Sequence, residues 1–282
     1  MSSTPALFRA LVDDAAVFPP GNASLPDAVR THREHRATAD AAVVGPLLVP
    51  AGQHDDLLTV LEQQQANDVL EVGLIARPGS DVSALGVALE ALSRVSGVRV
   101  VGAELGWQWD WRGLGLDGIP VALEIPRGPG HDAALVDVRT ARGEGLPVLA
   151  KLRTGPTPTW PWPDEDELAA FLCVTAAAGL PFKLTGGLHH AVRGRYAVDG
   201  APEDNHGVLN VLLATASSLE GAPREEVAAL LAVRDGEALA ALTSAWTDAT
   251  AARVRERFTA YGCCTVTDPI GELTALGLLP TT

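Results

Sequence analysis

Two segments, PVLAKLRTG at residues 147–155 and LPFKLTGGLHHAVR at 180–193, decide how this chain folds. Each opens with a short apolar run, PVLA or LPF, that ends on a lysine and passes into a Thr-Gly turn. Each therefore reads as the C-terminal end of a buried strand, the end where chemistry gathers in parallel α/β proteins. Lys151 and Lys183 are also the only lysines among 282 residues; every other basic side chain is an arginine. A chain that uses arginine for its surface cations has no compositional reason to keep lysine. Guanidinium stays protonated, whereas an ammonium can lose its proton and act as a base or nucleophile.

Outward from these two strands, short apolar runs alternate with amphipathic segments along the whole chain. The runs are 7–18, 43–50, 70–76, 98–105, 120–125, the two lysine strands and 261–266. The helices are expected at 25–36, 55–65, 82–95, 131–142 and 165–178, then at 208–217, 225–233 and 238–261, with a closing helix at 269–276. Connections are short and punctuated by Gly and Pro, with no break in composition. Eight strand–helix units read most simply as a single-domain α/β protein, a (β/α)8 TIM barrel spanning 1–282. Its region after the seventh strand, about 188–260, is expanded, and the unit at 98–120, with Trp107, Trp109 and Trp111, has a weak helix. A doubly wound open sheet is the other arrangement, but no GxGxxG or P-loop pattern follows any run.

The composition is 47% hydrophobic and 20% charged, enough for a large core. A net charge of −14 without any Lys/Arg run argues against nucleic acid as a partner. No apolar run approaches the roughly 20 residues of a membrane span, and MSSTPALFRALVDD lacks the basic and apolar regions of a leader. A cytoplasmic protein without membrane partners is expected. Cys173, Cys263 and Cys264 form an odd set without CxxC spacing, which fits reduced, buried thiols. Alanine richness and arginine in place of lysine suggest a bacterial source. A homo-oligomer remains open.

On the barrel, polar strand-end residues converge at one mouth: Asp13 and Asp14, Glu104, Glu124, Lys151 and Arg153, Lys183 and Thr185. Two ammonium groups held close in a partly dry mouth would repel, lowering a lysine pKa toward neutrality. Such a lysine adds to a carbonyl to form a Schiff base, while a carboxylate moves the proton. No cofactor is required, and the partner is a small-molecule substrate. Arg153 with Gly186 and Gly187 would hold an anionic group on it.

Lys151-Leu-Arg-Thr154-Gly155 and Lys183-Leu-Thr-Gly186-Gly187 resemble the paired strand ends of the class I (Schiff-base) aldolases of the deoxyribose-phosphate aldolase group. Those enzymes carry Lys-x-x-Thr-Gly and, one unit later, Lys-x-x-Gly-Gly, and Asp13 in LVDDAAVFPP is similar to their first-strand Asp-then-Pro. The resemblance implies lyase chemistry with Lys151 as the imine-forming nucleophile and Lys183 as the neighbour that tunes it. It also implies a fourth-strand acid, for which Glu104 is the nearest match. The chain departs from the group where Glu replaces Asp, where Arg153 replaces a small hydroxyl residue, and where YGCCTVTDP lacks the serine-containing phosphate site.

The histidines offer a competing site. His189 and His190 follow Gly-Gly at the seventh strand end, and His206 lies in the next loop. With Glu104, Glu124 or Asp13 they would make a metal-dependent hydrolase or isomerase. No HxH or HExxH spacing supports that site. Adjacent residues of an extended segment point to opposite sides, so only one of the pair would face the mouth as a substrate contact. A non-catalytic barrel that binds a small metabolite is the third possibility. The loop 156–167, PTPTWPWPDEDE, would cover the mouth as a lid or pack on its rim.

Overall fold

The computed structural model describes residues 4–64, 68–77, 79–198 and 201–281, and its centre is a closed barrel of eight parallel strands. In chain order these are β1 (Val12–Asp14), β2 (Val44–Pro50), β3 (Leu70–Ile75), β4 (Val98–Gly106), β5 (Val121–Glu124), β6 (Val148–Arg153), β7 (Phe182–Thr185) and, after two further strands, β10 (Phe258–Cys263). Helices α1 (Leu25–Arg36), α2 (His54–Gln64), α3 (Ala84–Leu92), α4 (His131–Gly143) and α5 (Glu165–Ala177) follow their strands as expected. Between β4 and β5 stands only a 3₁₀ turn, Trp111–Gly113, in place of a helix. Gln65, the expected end of the second helix, lies outside the described residues.

Local chemistry explains the boundaries. The Ser24 side chain accepts a hydrogen bond from the Asp27 amide and Pro26 occupies the first turn, which sets the start of α1. Asp164 caps α5 in the same way, and Glu165, Asp166 and Glu167 place negative charge at its N-terminus.

The expanded region corrects three expectations. Residues 194–205 form an antiparallel hairpin, β8 (Gly194–Val198) with β9 (Ala201–Asn205), where a loop is expected. The helix expected over 238–261 is instead α8 (Gly236–Ser244) and α9 (Asp248–Arg255), because Thr247 accepts from the Thr250 amide and starts a new helix. The last barrel strand begins at Phe258, three residues before the expected start. Helices α6 (Val208–Leu219) and α7 (Arg224–Ala232) match their expected positions. In α6 ten residues are buried, so it is apolar on nearly every side. The closing helix is α10 (Thr267–Ala275).

Strand alternation separates two faces. Val12, Leu47, Val72, Leu74, Leu105, Leu123, Leu152, Leu184 and Tyr261 face the helices and are buried, each such side chain stabilising the fold by about 1.5–3 kcal/mol. The inward face is different. Register places Asp13 with Gly262, Lys183 with Ala260, Ala122 with Glu104, Lys151 with Lys183, and Glu124 with Lys151. Where most barrels of this kind are filled by branched apolar side chains, this one sets charged residues beside small ones and beside one another.

Candidate active site

The inward-facing charges form one alternating chain from the barrel interior to its mouth. Lys183 Nζ, on β7, donates hydrogen bonds to Asp13 Oδ2 on β1 and to Glu104 Oε1 on β4. Lys151 Nζ, on β6, lies 2.8 Å from Glu104 Oε2 and 3.1 Å from Glu124 Oε2. Arg153 Nε, two residues along β6, donates to Glu124 Oε1 at 3.0 Å. Asp13, Glu104, Lys151 and Lys183 are buried; the side chain of Glu124 is 14% exposed and that of Arg153 is 29% exposed. Three carboxylates thus meet three cations, which is what lets so much charge sit out of water. Gly45 makes room for the Asp13 carboxylate, since a Cβ there would collide with Asp13 Oδ1. A glycine inside the apolar run VVGPLLVP was the sequence signal for that close approach.

The two lysines differ in how they are held. Lys183 has two hydrogen bonds to carboxylates. Lys151 lies within ion-pair distance of two carboxylates, each of which also serves another cation, Glu104 with Lys183 and Glu124 with Arg153. For Lys183, electrostatics overturns the expectation that two close ammonium groups lower a lysine pKa. Burial alone would lower its pKa, but Asp13 and Glu104 outweigh burial and raise it above the ordinary lysine value. Repulsion between the lysines does not govern because Glu104 stands between them. Burial pushes the Glu104 carboxyl upward, yet Lys151 and Lys183 reverse this and hold it at about 2. Glu124 is likewise pushed up by burial and brought below its usual value by Lys151 and Arg153. Asp13 is the exception, its pKa raised by burial despite Lys183.

The other expected residues are placed as follows. Thr185 faces inward in register with Arg153, and its carbonyl accepts from the Thr154 amide at 2.8 Å. Gly186 and Gly187 both take positive φ, 64° and 104°, and make the turn that leaves β7. The Arg153 guanidinium lies over Gly186, with one terminal nitrogen 2.8 Å from where a Cβ would stand. The Thr154 hydroxyl, buried and without an expected role, holds this turn by donating to the Gly186 carbonyl at 3.1 Å. Asp14 does not join the cluster. It faces outward and pairs with His32 of α1 at 3.0 Å, both side chains buried.

The histidines do not converge either. His189 Nδ1 lies 3.6 Å from the Sγ atoms of both Cys263 and Cys264, and burial lowers its pKa while raising those of the two thiols. His190 Nδ1 is 2.7 Å from Glu272 Oε1, and its ring stacks on Tyr196. His206 is buried and bonds through Nε2 to the Pro163 carbonyl at 2.8 Å. Among the described residues no three His, Cys, Asp or Glu side chains come together in a metal-holding group.

The rim is aromatic. Trp107 and Trp111 both donate their indole N–H to Asp137 of α4, at 3.0 and 2.9 Å, whereas Trp109 is 71% exposed and meets Trp107 edge-on. The three therefore do not share one environment. Trp162 lies against Gly187, and Arg127 bonds to both Glu167 and the Pro161 carbonyl. With His206 on Pro163, these contacts dock the 156–164 segment onto the turn after β7.

A cavity of about 560 Å³ lies elsewhere, at the opposite end of the barrel wall, lined by Arg33, Arg36, Leu70 and Arg99 among others. Its arginines are paired with Asp68, Glu71 and backbone carbonyls, and it shares no residue with the lysine cluster. Among the described residues no helix is long and apolar enough to cross a membrane. The fold defines the class, a (β/α)8 barrel with a charged cluster at the C-terminal ends of its strands. Comparison with family models, curated proteins and solved structures gives no match.

Proposed function

We propose that this barrel is a Schiff-base enzyme of lyase, aldolase-like type, with Lys151 as its nucleophile. One observation carries the assignment: of two buried lysines in the same register row, Lys183 is the one salt-bridge partner of Asp13 among the described residues, whereas both carboxylates beside Lys151 also serve another cation. Lys183 then serves as a fixed cation that holds Asp13 and Glu104. That division of roles agrees with the resemblance to the deoxyribose-phosphate aldolase group, in which the first lysine forms the imine. Glu104, on β4 and between the two ammonium groups, stands where the resemblance calls for the fourth-strand acid.

The chemistry starts from an ammonium beside carboxylates. Lys151 passes a proton to Glu124, its free electron pair adds to the carbonyl carbon while the C=O π pair moves to oxygen, and a proton then passes from the new N–H to that oxygen to give the neutral carbinolamine. Glu124 returns the proton as the carbinolamine hydroxyl departs as water. The products are an iminium on Nζ and one water, and the net charge of +1 is conserved. Glu124 suits this role better than Glu104, because Glu104 is held at about 2 by two cations and is more deeply buried.

The test is intact-mass analysis after exposure to small aldehydes and ketones with borohydride, which reduces an imine to a stable secondary amine. Wild type gains the mass of the carbonyl compound less its oxygen plus the added hydrogens; Lys151→Arg, which keeps charge but forms no imine, does not. Equal labelling of wild type, Lys151→Arg and an unrelated control protein contradicts the proposal.

A further inference from the structure

We infer that the substrate is a small 2-oxo acid, and that its carboxylate binds Arg153 in place of Glu124 and thereby releases Glu124 to take the Lys151 proton. The inference rests on the Schiff-base assignment of Lys151 and adds the substrate class and its recognition. Its basis is that one carboxylate serves two cations at once: Glu124 Oε2 is 3.1 Å from Lys151 Nζ, and Glu124 Oε1 is 3.0 Å from Arg153 Nε. The two oxygens of a carboxylate are separated by a single carbon. A ligand that places an anionic group on Arg153 and an electrophilic carbon at Lys151 must hold the two within about one bond. A carboxylate attached directly to the carbonyl carbon satisfies this, whereas a phosphate several atoms away from the carbonyl does not.

Three further features agree. Arg153 is the outermost cation, 29% exposed where Lys151 is 4% exposed by side chain, so an entering anion meets it first. Its fork has one nitrogen on Glu124 and leaves others for a bidentate contact. The backbone amides of Gly186, which lies against that guanidinium, and of the following Gly187 have no hydrogen-bond partner among the described residues, and consecutive amides in a left-handed turn suit an anion. Losing Arg153 also removes one of the cations that lower the pKa of Glu124, which makes Glu124 a better proton acceptor. The substrate's own charge therefore uncovers and activates the nucleophile that attacks it. An uncharged carbonyl compound leaves Arg153 on Glu124.

The experiment compares borohydride trapping of pyruvate and of acetone, which differ by carboxylate against methyl, at equal concentration. Rates are read as the ratio of the two Lys151 adducts in wild type, Arg153→Gln and Arg153→Lys. The ratio cancels any general loss of activity or fold. The expected result is a pyruvate-to-acetone ratio that falls about tenfold in Arg153→Gln, the loss typical of one charged recognition contact, with Arg153→Lys in between. Adducts on Lys151 with an unchanged ratio overturn the inference and leave the Schiff-base assignment standing. No Lys151 adduct with either compound, or with the wider aldehyde panel, overturns both.

Discussion

Lys151 and Lys183 occupy one register row on neighbouring strands, follow the same kind of apolar run and are both buried, yet they are not equivalent. Lys183 joins two carboxylates from strands β1 and β4 and ties the barrel together across its interior. Lys151 shares each of its two carboxylates with another cation, Glu104 with Lys183 and Glu124 with Arg153. Buried charge is stable only when every member has a partner. A residue whose partners are each doubly served is therefore the one that can leave its place. On the proposed function, the cluster separates a cation that holds the fold from an amine that reacts.

The largest consequence is in stability. Lys183→Met leaves Asp13 without its ion-pair partner and is expected to cost about 3–5 kcal/mol in urea unfolding. Lys151→Met leaves every carboxylate with one cation and is expected to cost less, about 1–3 kcal/mol. The reverse order would break the distinction between the two lysines.

Acid should act through Glu104. Its folded pKa of about 2 lies below the ordinary 4.5, so its contribution is fully present above about pH 4.5 and is lost as pH falls toward 2. A shift of that size corresponds to roughly 3 kcal/mol. Asp13, whose pKa is raised, works in the opposite sense, so the clean measurement is the difference in urea midpoint between wild type and Glu104→Gln across pH 2–6. A difference that does not change with pH contradicts the central place given to Glu104. At the alkaline side, Lys183 contributes stability that is present below about pH 10.5 and is lost above it as pH approaches its raised folded value.

The smallest effect concerns the outer end. Arg153→Gln breaks a pair that is partly exposed and leaves Glu124 with Lys151, so stability should change by about 0–1 kcal/mol. A loss as large as that of Lys183→Met would make Arg153 a structural member of the cluster.

Much of this was legible in the sequence, and the limits have physical causes. The barrel followed from runs such as PVLA and LPF at regular spacing, because parallel strands buried on both faces read as short apolar segments. The hairpin at 194–205 was missed because GRYAV and APEDN carry no apolar alternation that would mark a face turned to a core. Thr247 was missed as a helix start because the surrounding segment is helix-favouring on both sides. In the site, position at the strand ends brought Lys151, Lys183, Glu104, Glu124 and Asp13 to one mouth but could not tell which charge meets which. That pairing depends on closure of the barrel, which brings β1 and β4 to bear on one lysine. Asp14 shows the same limit in reverse: beside Asp13 in sequence, it turns outward to His32.

The most direct measurement is peptide mapping of the borohydride-reduced adduct formed with pyruvate. The account predicts modification of Lys151 in the peptide around residues 147–155, with Lys183 unmodified in wild type. Modification of Lys183 in preference to Lys151 would contradict it, since that lysine is the one held by two hydrogen-bonded carboxylates.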